Sequence, residues 1–346
     1  MKNNELWLQH FAGPTTIGAT ENYNVVSPLN NTKQNTTTMD MSPTMKVFYD
    51  TTLLENAREN MVFTQLGKKQ PMKGNTCEWR KFNTFAKALT PLTEGVVPTG
   101  QSFGMTKITA ETTQHGDYTA VTDRLELEAY DDVIFGATEE MGAAEGETFD
   151  TLTRNILVAG NSVAYAPLGN GTAVTSRANL DETAVLTPEL INQIVTWLKK
   201  NKSPRFEGNT YVMVIHPSQS EDLRESASWK EYHKYADVQP IFKGEIGTLH
   251  GMRFIESNNV KIVETAASSG KVAYLSLAMG KDAFGVLDPA GEGMEMIIKD
   301  RSQIGGPLNQ FSTIGYKFCH GAKILYQERL LRVETGSRYS AIDQVN

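Results

Sequence analysis

Apolar residues recur at steps of three or four over one long stretch of this chain, from Asp131 to Asn161. Val133, Ala137, Met141, Ala144, Thr148, Leu152, Ile156 and Ala159 trace one face of a helix. The spacing predicts a helix over 131–161, roughly 45 Å long at about 1.5 Å per residue. Asp131 and Asp132 put negative charge at the positive end of its dipole, and Gly160-Asn161 closes the other end. Gly136, Gly142 and Gly146 oppose it at about 1 kcal/mol each relative to alanine. Packing must therefore hold the helix, at points where other backbone comes close.

Before it, Ser42-Pro43-Thr44 starts a shorter amphipathic helix with Val47, Phe48, Thr51, Leu54, Ala57 and Met61 on one face. Residues 1–41 are polar, with the Asn/Thr-rich patch NNTKQNTTT, and have no core of their own. After the long helix, Thr187-Pro188-Glu189 opens a helix carrying Leu190, Ile191, Ile194, Val195 and Leu198 on one side. Tyr211–Ile215 is an unbroken apolar run, which predicts a strand covered on both faces. Residues 216–224 turn off it into a helix that Ser218 is placed to cap. Short strands are expected at 252–256, 260–264, 272–277 and 283–287, making one α/β module of 181–287. Strands return at 294–299, 314–319 and 322–333, and the last ten residues read as a polar tail.

The stretch 68–123 follows a different pattern. A strand-like segment, Thr76–Phe82, leads to the Pro/Gly-rich tip ALTPLTEGVVPTGQSFGM at 88–105, and a Thr-rich extended arm returns through Lys107–Thr113 and Tyr118–Asp123. This predicts a long two-stranded hairpin too polar to build a core. An isolated ribbon is marginal in water, so it needs a surface in its own chain or in a neighbour. The tip lacks GxxxxGK[ST] and does not join a buried strand to a helix, which argues against phosphate binding.

The whole chain is 346 residues, 40% hydrophobic and 21% charged, with a net charge of -7, a globular profile that does not suit a general nucleic-acid binder. No apolar run reaches the ~18 residues of a membrane span, and the N-terminus lacks a secretory pattern. Cys77 and Cys319 have no metal-type spacing and read as buried, reduced thiols. His216, Ser218 and Asp222 lie close together, but GxSxG is missing. His233 and His250 belong to no HExxH pair, and Asp288–Glu292 lacks the alternating acids of a calcium loop. No catalytic residue, cofactor or metal is called for.

Several stretches taken in order resemble a known family. They are LTEGVVPTGQSFGMTKITAETTQHGDYTAVTD (92–123), GETFDTLTRNILVAGN (146–161), VMVIHPSQSEDLRESASWKEYHKYA (212–236), IFKGEIGTLHGMRFIESNN (241–259) and FCHGAKILYQERLLRVETGS (318–337). Together they resemble the Hong Kong 97-type major capsid protein of tailed bacteriophages, closest to the N4-like phage major capsid family. The resemblance covers Lys46 to Ser337.

What the resemblance implies is an α+β capsid fold with an N-arm (1–41), an N-terminal helix region (42–67) and an extended loop (68–117). A peripheral domain (118–180) would contain the spine helix 131–161. An axial domain (181–291), returning peripheral strands (292–337) and a C-terminal tail (338–346) would complete it. The implied function is self-assembly into pentamers and hexamers of an icosahedral shell that encloses double-stranded DNA without sequence-specific binding. The implied partners are copies of the chain itself, a separate scaffolding protein, a portal and decoration proteins, with no membrane. The implied location is the virion, after synthesis in the host bacterial cytoplasm. At the loop tip, Leu92, Val96, Val97, Pro98 and Phe103 are the expected contacts with a neighbouring subunit. Lys87 lies near that tip, but no asparagine is singled out for a covalent cross-link, so none is expected. The alternatives are an encapsulin-like nanocompartment, which would enclose cargo in place of DNA, and a soluble hydrolase with its site in 181–287.

Overall fold

The computed structural model describes residues 61–72, 74–128, 133–226, 229–230, 245–266, 270–289, 294–299, 301–304 and 308–346. The expected N-arm, the amphipathic face before Met61, and Asp131 and Asp132 lie outside these residues. The first part of the described chain holds α1 (Phe63–Leu66), β1 (Lys68–Met72), β2 (Thr76–Phe82), β3 (Met105–Glu111) and β4 (Thr113–Thr122). Next come α2 (Asp123–Glu128), the long helix α3 (Val133–Val158), β5 (Val163–Tyr165), α4 (Pro188–Lys200), β6 (Tyr211–Ile215) and α5 (Pro217–Glu225). Then follow β7 (Glu245–Leu249), β8 (Met252–Glu256), β9 (Lys261–Glu264), β10 (Val272–Met279), β11 (Phe284–Pro289) and β12 (Glu295–Lys299). The chain ends through α6 (Arg301–Ile304), β13 (Phe311–His320), β14 (Ala322–Ile324) and β15 (Leu330–Thr335).

The largest layer is a seven-stranded mixed sheet in the order β5-β15-β10-β6-β8-β7, with β9 also paired to β10. Its centre is β6, whose five residues are all buried. Tyr211, Met213 and Ile215 pack on one side with Leu190, Ile191, Ile194, Val195 and Leu198 of α4. Val212 and Val214 pack on the other with Phe63, Leu66, Leu157 and Phe284. The continuous apolar run is thus explained by helices and strands on both faces, at about 1.5–3 kcal/mol for each large side chain withdrawn from water. Thr187 caps α4 by accepting from the Leu190 N–H, and Pro188 sits in its first turn. Strands β5 and β15 enter this sheet from outside 181–291, while β11 leaves it for a second sheet, β1-β11-β14.

The third sheet, β12-β13-β4, pairs β13 with β4 over ten residues, from Phe311↔Thr122 to His320↔Thr113. The first half of α3 covers it through Ile134, Ala137 and Met141 against Val121, Met296 and Ile314. The helix face differs from the expected one. Of the residues placed on it, Ala144 and Ala159 are exposed and Ala137, Met141, Thr148, Leu152 and Ile156 only half-buried. The buried stripe is rotated by one position and runs Ile134, Thr138, Gly142, Glu145, Asp150, Thr153 and Leu157. Most of it is polar, so a search for apolar periodicity misses it. Its C-terminal half is stabilised by hydrogen bonds with α1, the β8–β9 turn and β13, which only the fold brings near.

Four local expectations are also corrected. The second hairpin arm splits, with β3 staying in the ribbon while β4 joins β13, because β4 carries Val121 toward the α3 core. Pro217 starts α5 two residues earlier than expected, so His216 and not Ser218 is the cap. The strand expected at 322–333 is broken by a 3₁₀ turn at Gln327–Arg329. The last residues do not hang free. Ser337 and Ser340 are fully buried, and the Val272 N–H donates to the Ser340 carbonyl.

The end of α3 is held to the large sheet by charge. Glu334 on β15 is fully buried and receives two bonds from Arg177, both at 2.7 Å, and one from Arg332 at 2.8 Å. Arg332 also donates to the Val158 carbonyl at the C-terminal end of the helix, where a cation complements the dipole. The bond to Glu334 raises the Arg177 pKa above its usual value. Glu334→Ala strands two guanidinium groups and is expected to cost about 3–5 kcal/mol in urea unfolding, whereas a surface glutamate change at Glu207 costs well under about 1 kcal/mol.

Candidate functional site

The ribbon is built by β2 and β3, paired from Thr76↔Glu111 to Phe82↔Met105. One face is anchored on its own chain. The Trp79 ring lies over Gly285, where an added Cβ would meet it at 2.8 Å, and Cys77, Trp79 and Ala110 pack with Met72 and Leu287. Lys81 sits 4.5 Å above the Tyr326 ring and 3.6 Å from Glu328. Past Phe82 this support ends. The neck closes on itself through Asn83 N–H to the Gly104 carbonyl, Thr106 to Asn83, and Gln101 to the Ala86 carbonyl.

Beyond the neck lies an apolar tip in solvent. Leu89 is 83% exposed, Leu92 76%, Val96 63%, Val97 90% and Phe103 62%, and Pro98 is exposed with them. Phe82, Phe103 and Phe85 stack in a row, with ring centroids 4.8 and 5.6 Å apart. A turn at Thr93–Val96 uses Gly95 at φ +77. Of the five tip residues expected to contact a neighbour, the structure brings only Phe103 into this aromatic row. The sequence reading missed Phe82 and Phe85, although both lie in the same stretch. A monomeric soluble protein seldom leaves this much contiguous apolar side chain in water.

The residues that suggested hydrolysis form a different device. The His216 Nδ1 accepts from the Ser218 N–H at 3.3 Å, and the Gln219 side chain accepts from the His216 N–H at 2.9 Å, a reciprocal cap on α5. The Ser218 hydroxyl donates to Asp343 at 2.7 Å, as does the Tyr274 hydroxyl. The His216 Nδ1 also lies 3.1 Å from the Ser218 hydroxyl, but that nitrogen accepts the capping bond and the shorter contact of Ser218 is the one to Asp343. Burial lowers the His216 pKa, which keeps the ring neutral and able to accept. Asp222 turns away toward Arg338, 3.7 Å distant. Asp343 and Tyr274 were not foreseen, being far from 216–222 in sequence. His233 lies outside the described residues, and His250 is exposed. Among the described residues no group of metal-ligand type occurs, and no helix is long and apolar enough to cross a membrane. Cys77 and Cys319 are free thiols and only half-buried, not fully buried as expected.

The buried polar stripe of α3 is the other unusual feature. Asp150 accepts from the Thr64 N–H at 3.1 Å and from Asn259 at 3.2 Å, and burial outweighs these bonds to raise its pKa. Thr153 meets His320 at 2.9 Å, and burial, with the charge of His115 second, pushes that histidine down to about 4. Arg154 donates to Asn259 at 2.7 Å and reaches Asn346 at 3.5 Å. The stripe therefore ties α1, the β8–β9 turn, β13 and the end of the chain to one helix. Glu145 stands apart. It is fully buried, neither carboxyl oxygen has a partner among the described residues, and burial raises its pKa to about 7.

This architecture has known relatives. The capsid of cyanophage Pam1 superposes with a TM-score of 0.63 at 13% identity, covering 83% of this chain and 93% of that one. The capsid of Ralstonia phage GP4 gives 0.60 at 17% identity, covering 79% and 87%. That of cyanophage P-SCSP1u gives 0.59 at 15%, covering 80% and 88%. No curated protein sequence matches the chain. The fold is the α+β Hong Kong 97-type capsid fold. The family model described as phage capsid protein matches residues 101–296, more than half of the sequence, and the chain belongs to that family.

The buried glutamate yields a pH prediction. A carboxyl whose pKa is raised on folding favours the folded state fully below its unfolded pKa of 4.5, and that advantage is lost as pH rises toward 7. Glu145→Gln should therefore stabilise the protein by about 1–3 kcal/mol at pH 8 and change little at pH 4. Thermal melts at the two pH values check this. An equal effect at both would show that the carboxyl is not held neutral by burial.

Proposed function

We propose that this chain works as a phage major capsid protein in which each copy covers the extended ribbon of another. The protein is a structural subunit whose copies form an icosahedral shell. The observation that carries the reading is the ribbon, anchored on its own chain by one face up to Phe82 and left with an apolar tip in solvent. Closing a ring or shell makes each later contact effectively intramolecular, so modest interfaces add up.

On this reading the ribbon is the extended loop, α3 the spine of a peripheral domain, and 181–291 an axial domain around the five-fold and six-fold axes. Residues 1–41 are its N-arm. The sequence wording at 92–123 and 318–337 favours the N4-like subfamily. A separate scaffolding protein, a portal and decoration proteins are its partners, and double-stranded DNA is enclosed without sequence-specific contact, in keeping with a net charge of -7. Synthesis takes place in the host bacterial cytoplasm. On this reading the protein is a structural subunit and not an enzyme, in line with its membership of the phage capsid protein family.

Deletion of residues 88–105 removes the tip and only the last pair of the ribbon, Phe82 with Met105, and should give a protein with a nearly unchanged melting temperature that forms no closed shells by negative-stain microscopy. Normal shells from the deletion variant would overturn the assembly role of the tip.

A further inference from the structure

The C-terminal end of α4 runs into a strongly basic stretch. Residues 199–205, KKNKSPR, hold four cations and no acid. The fold brings two further turns against it. The Lys281 N–H donates to the Pro204 carbonyl at 3.0 Å, and the Gly280 N–H to the Arg329 carbonyl at 2.9 Å. The Asn201 side chain donates to the Glu328 carbonyl at 3.4 Å. The three loops form one ridge that carries Lys199, Lys200, Lys202, Arg205, Lys281 and Arg329. Its acids are Asp282 and Glu328, and Glu328 is already met by Lys81 of the ribbon at 3.6 Å. A local surplus of positive charge therefore stands on a chain of net charge -7.

Part of this charge has a local reason, since cations complement the carbonyl end of a helix dipole. That reason covers Lys199 and Lys200 but not Arg205, Lys281 or Arg329, which lie outside α4. Nor does it explain the backbone. The Lys202 N–H donates to the Lys199 carbonyl at 2.9 Å and the Ser203 N–H to the Leu198 carbonyl at 3.0 Å, the pair of bonds that closes a helix over a left-handed residue. Glycine is the usual occupant there, yet this chain has Lys202, at φ +53. Asp282 on the facing turn is left-handed too, at φ +58. Residues with a Cβ are costly in this region, and such positions concentrate where a side chain has a task.

Lys199, Lys200, Lys202 and Lys281 are exposed and have no ion-pair partner among the described residues. No large apolar side chain of the ridge is exposed with them. Contacts between proteins are built the other way round, on an apolar and aromatic centre from which lysine is depleted. Flexible, solvated ammonium groups with no apolar centre suit a partner that is negative along its whole length. Double-stranded DNA carries one charge per about 1.7 Å of axis, and its phosphates are met without reading sequence.

We propose that this ridge is the face the subunit turns toward enclosed double-stranded DNA, with Lys199, Lys200, Lys202 and Lys281 meeting phosphates. The inference rests on the assembly reading above and names a DNA-facing surface for it. The remainder of the chain is more acidic than the whole and repels DNA, so the ridge fixes where the two touch. Each contact is weak and salt-dependent, and repetition over the shell makes the contacts add up.

The test titrates the full chain, before assembly, with a random-sequence DNA duplex of about 30 base pairs and follows fluorescence anisotropy at several salt concentrations. One variant combines Lys199→Gln, Lys200→Gln, Lys202→Asn and Lys281→Gln, asparagine being chosen because it tolerates the left-handed region. A control changes Lys68, Lys69, Lys230 and Lys299, all exposed, to glutamine. Circular dichroism melts of both should match the parent. The ridge variant should bind DNA about tenfold or more weakly, with the slope of log K against log salt flattened by about 2–4. The control should keep most of the parent's affinity, and the ridge variant should still form shells by negative-stain microscopy. Equal losses in the two variants, or no salt-dependent binding by the parent, overturn the DNA-facing ridge. Loss of shells in the ridge variant overturns it as well, because the ridge would then be a contact between copies. A parent protein that forms neither capsomers nor shells would instead overturn the assembly reading itself, whatever its affinity for DNA.

Discussion

Two antiparallel strands have two faces and no interior, so a ribbon is only as stable as the surfaces laid against it. Here β2 and β3 spend one face on Trp79, Cys77 and Lys81 contacts to their own chain and carry the other into solvent with Arg80, Phe82, Lys107 and Met105. The tip continues outward as a row of stacked phenylalanines and exposed aliphatic residues. The large sheet supplies a core that contains no residue of the ribbon. The ribbon's second face is left over, and it is the surface on which the proposed assembly role rests.

The long helix is the counterpart of that ribbon. One side packs Ile134 and Met141 onto the three-stranded sheet, and its end reaches Leu157 into the core beneath the seven-stranded sheet. Between these two apolar grips the buried side is polar, and past Glu145 it is matched partner by partner: Asp150 with Thr64 and Asn259, Thr153 with His320, Arg154 with Asn259 and Asn346. Hydrogen bonds of this kind demand fixed geometry, whereas apolar contacts tolerate sliding. The two sheets are thereby held in register across one rod. The Arg177–Glu334–Arg332 group does the same at the far end of the helix.

Apolar pattern identified the elements it governs. Thr187-Pro188 marked the start of α4, the run Tyr211–Ile215 marked the central strand, and Thr76–Phe82 marked the first arm of the ribbon. Each is visible because cap chemistry, burial on both faces, and alternation are local properties. The tip residues Leu92, Val96, Val97 and Phe103 were legible for a related reason: apolar side chains amid Pro, Gly and Thr, with no periodicity to bury them, have no place in a core.

What local pattern could not supply was the identity of distant partners. The buried face of α3 was displaced by one position from its apolar repeat because Asp150, Thr153 and Arg154 are paired with residues between about 85 and 190 positions away. Ser218 read as a cap or a nucleophile until Asp343, from the far end of the chain, took its proton. The polar last residues read as a tail, yet pairing of Ser340 with Val272 folds them in. Periodicity, caps and turn chemistry in this sequence determined which segments are helix, strand or ribbon. The tertiary structure alone decided which polar groups are satisfied inside the chain, because a hydrogen bond across a hundred or more residues exists only once the sheets are in place.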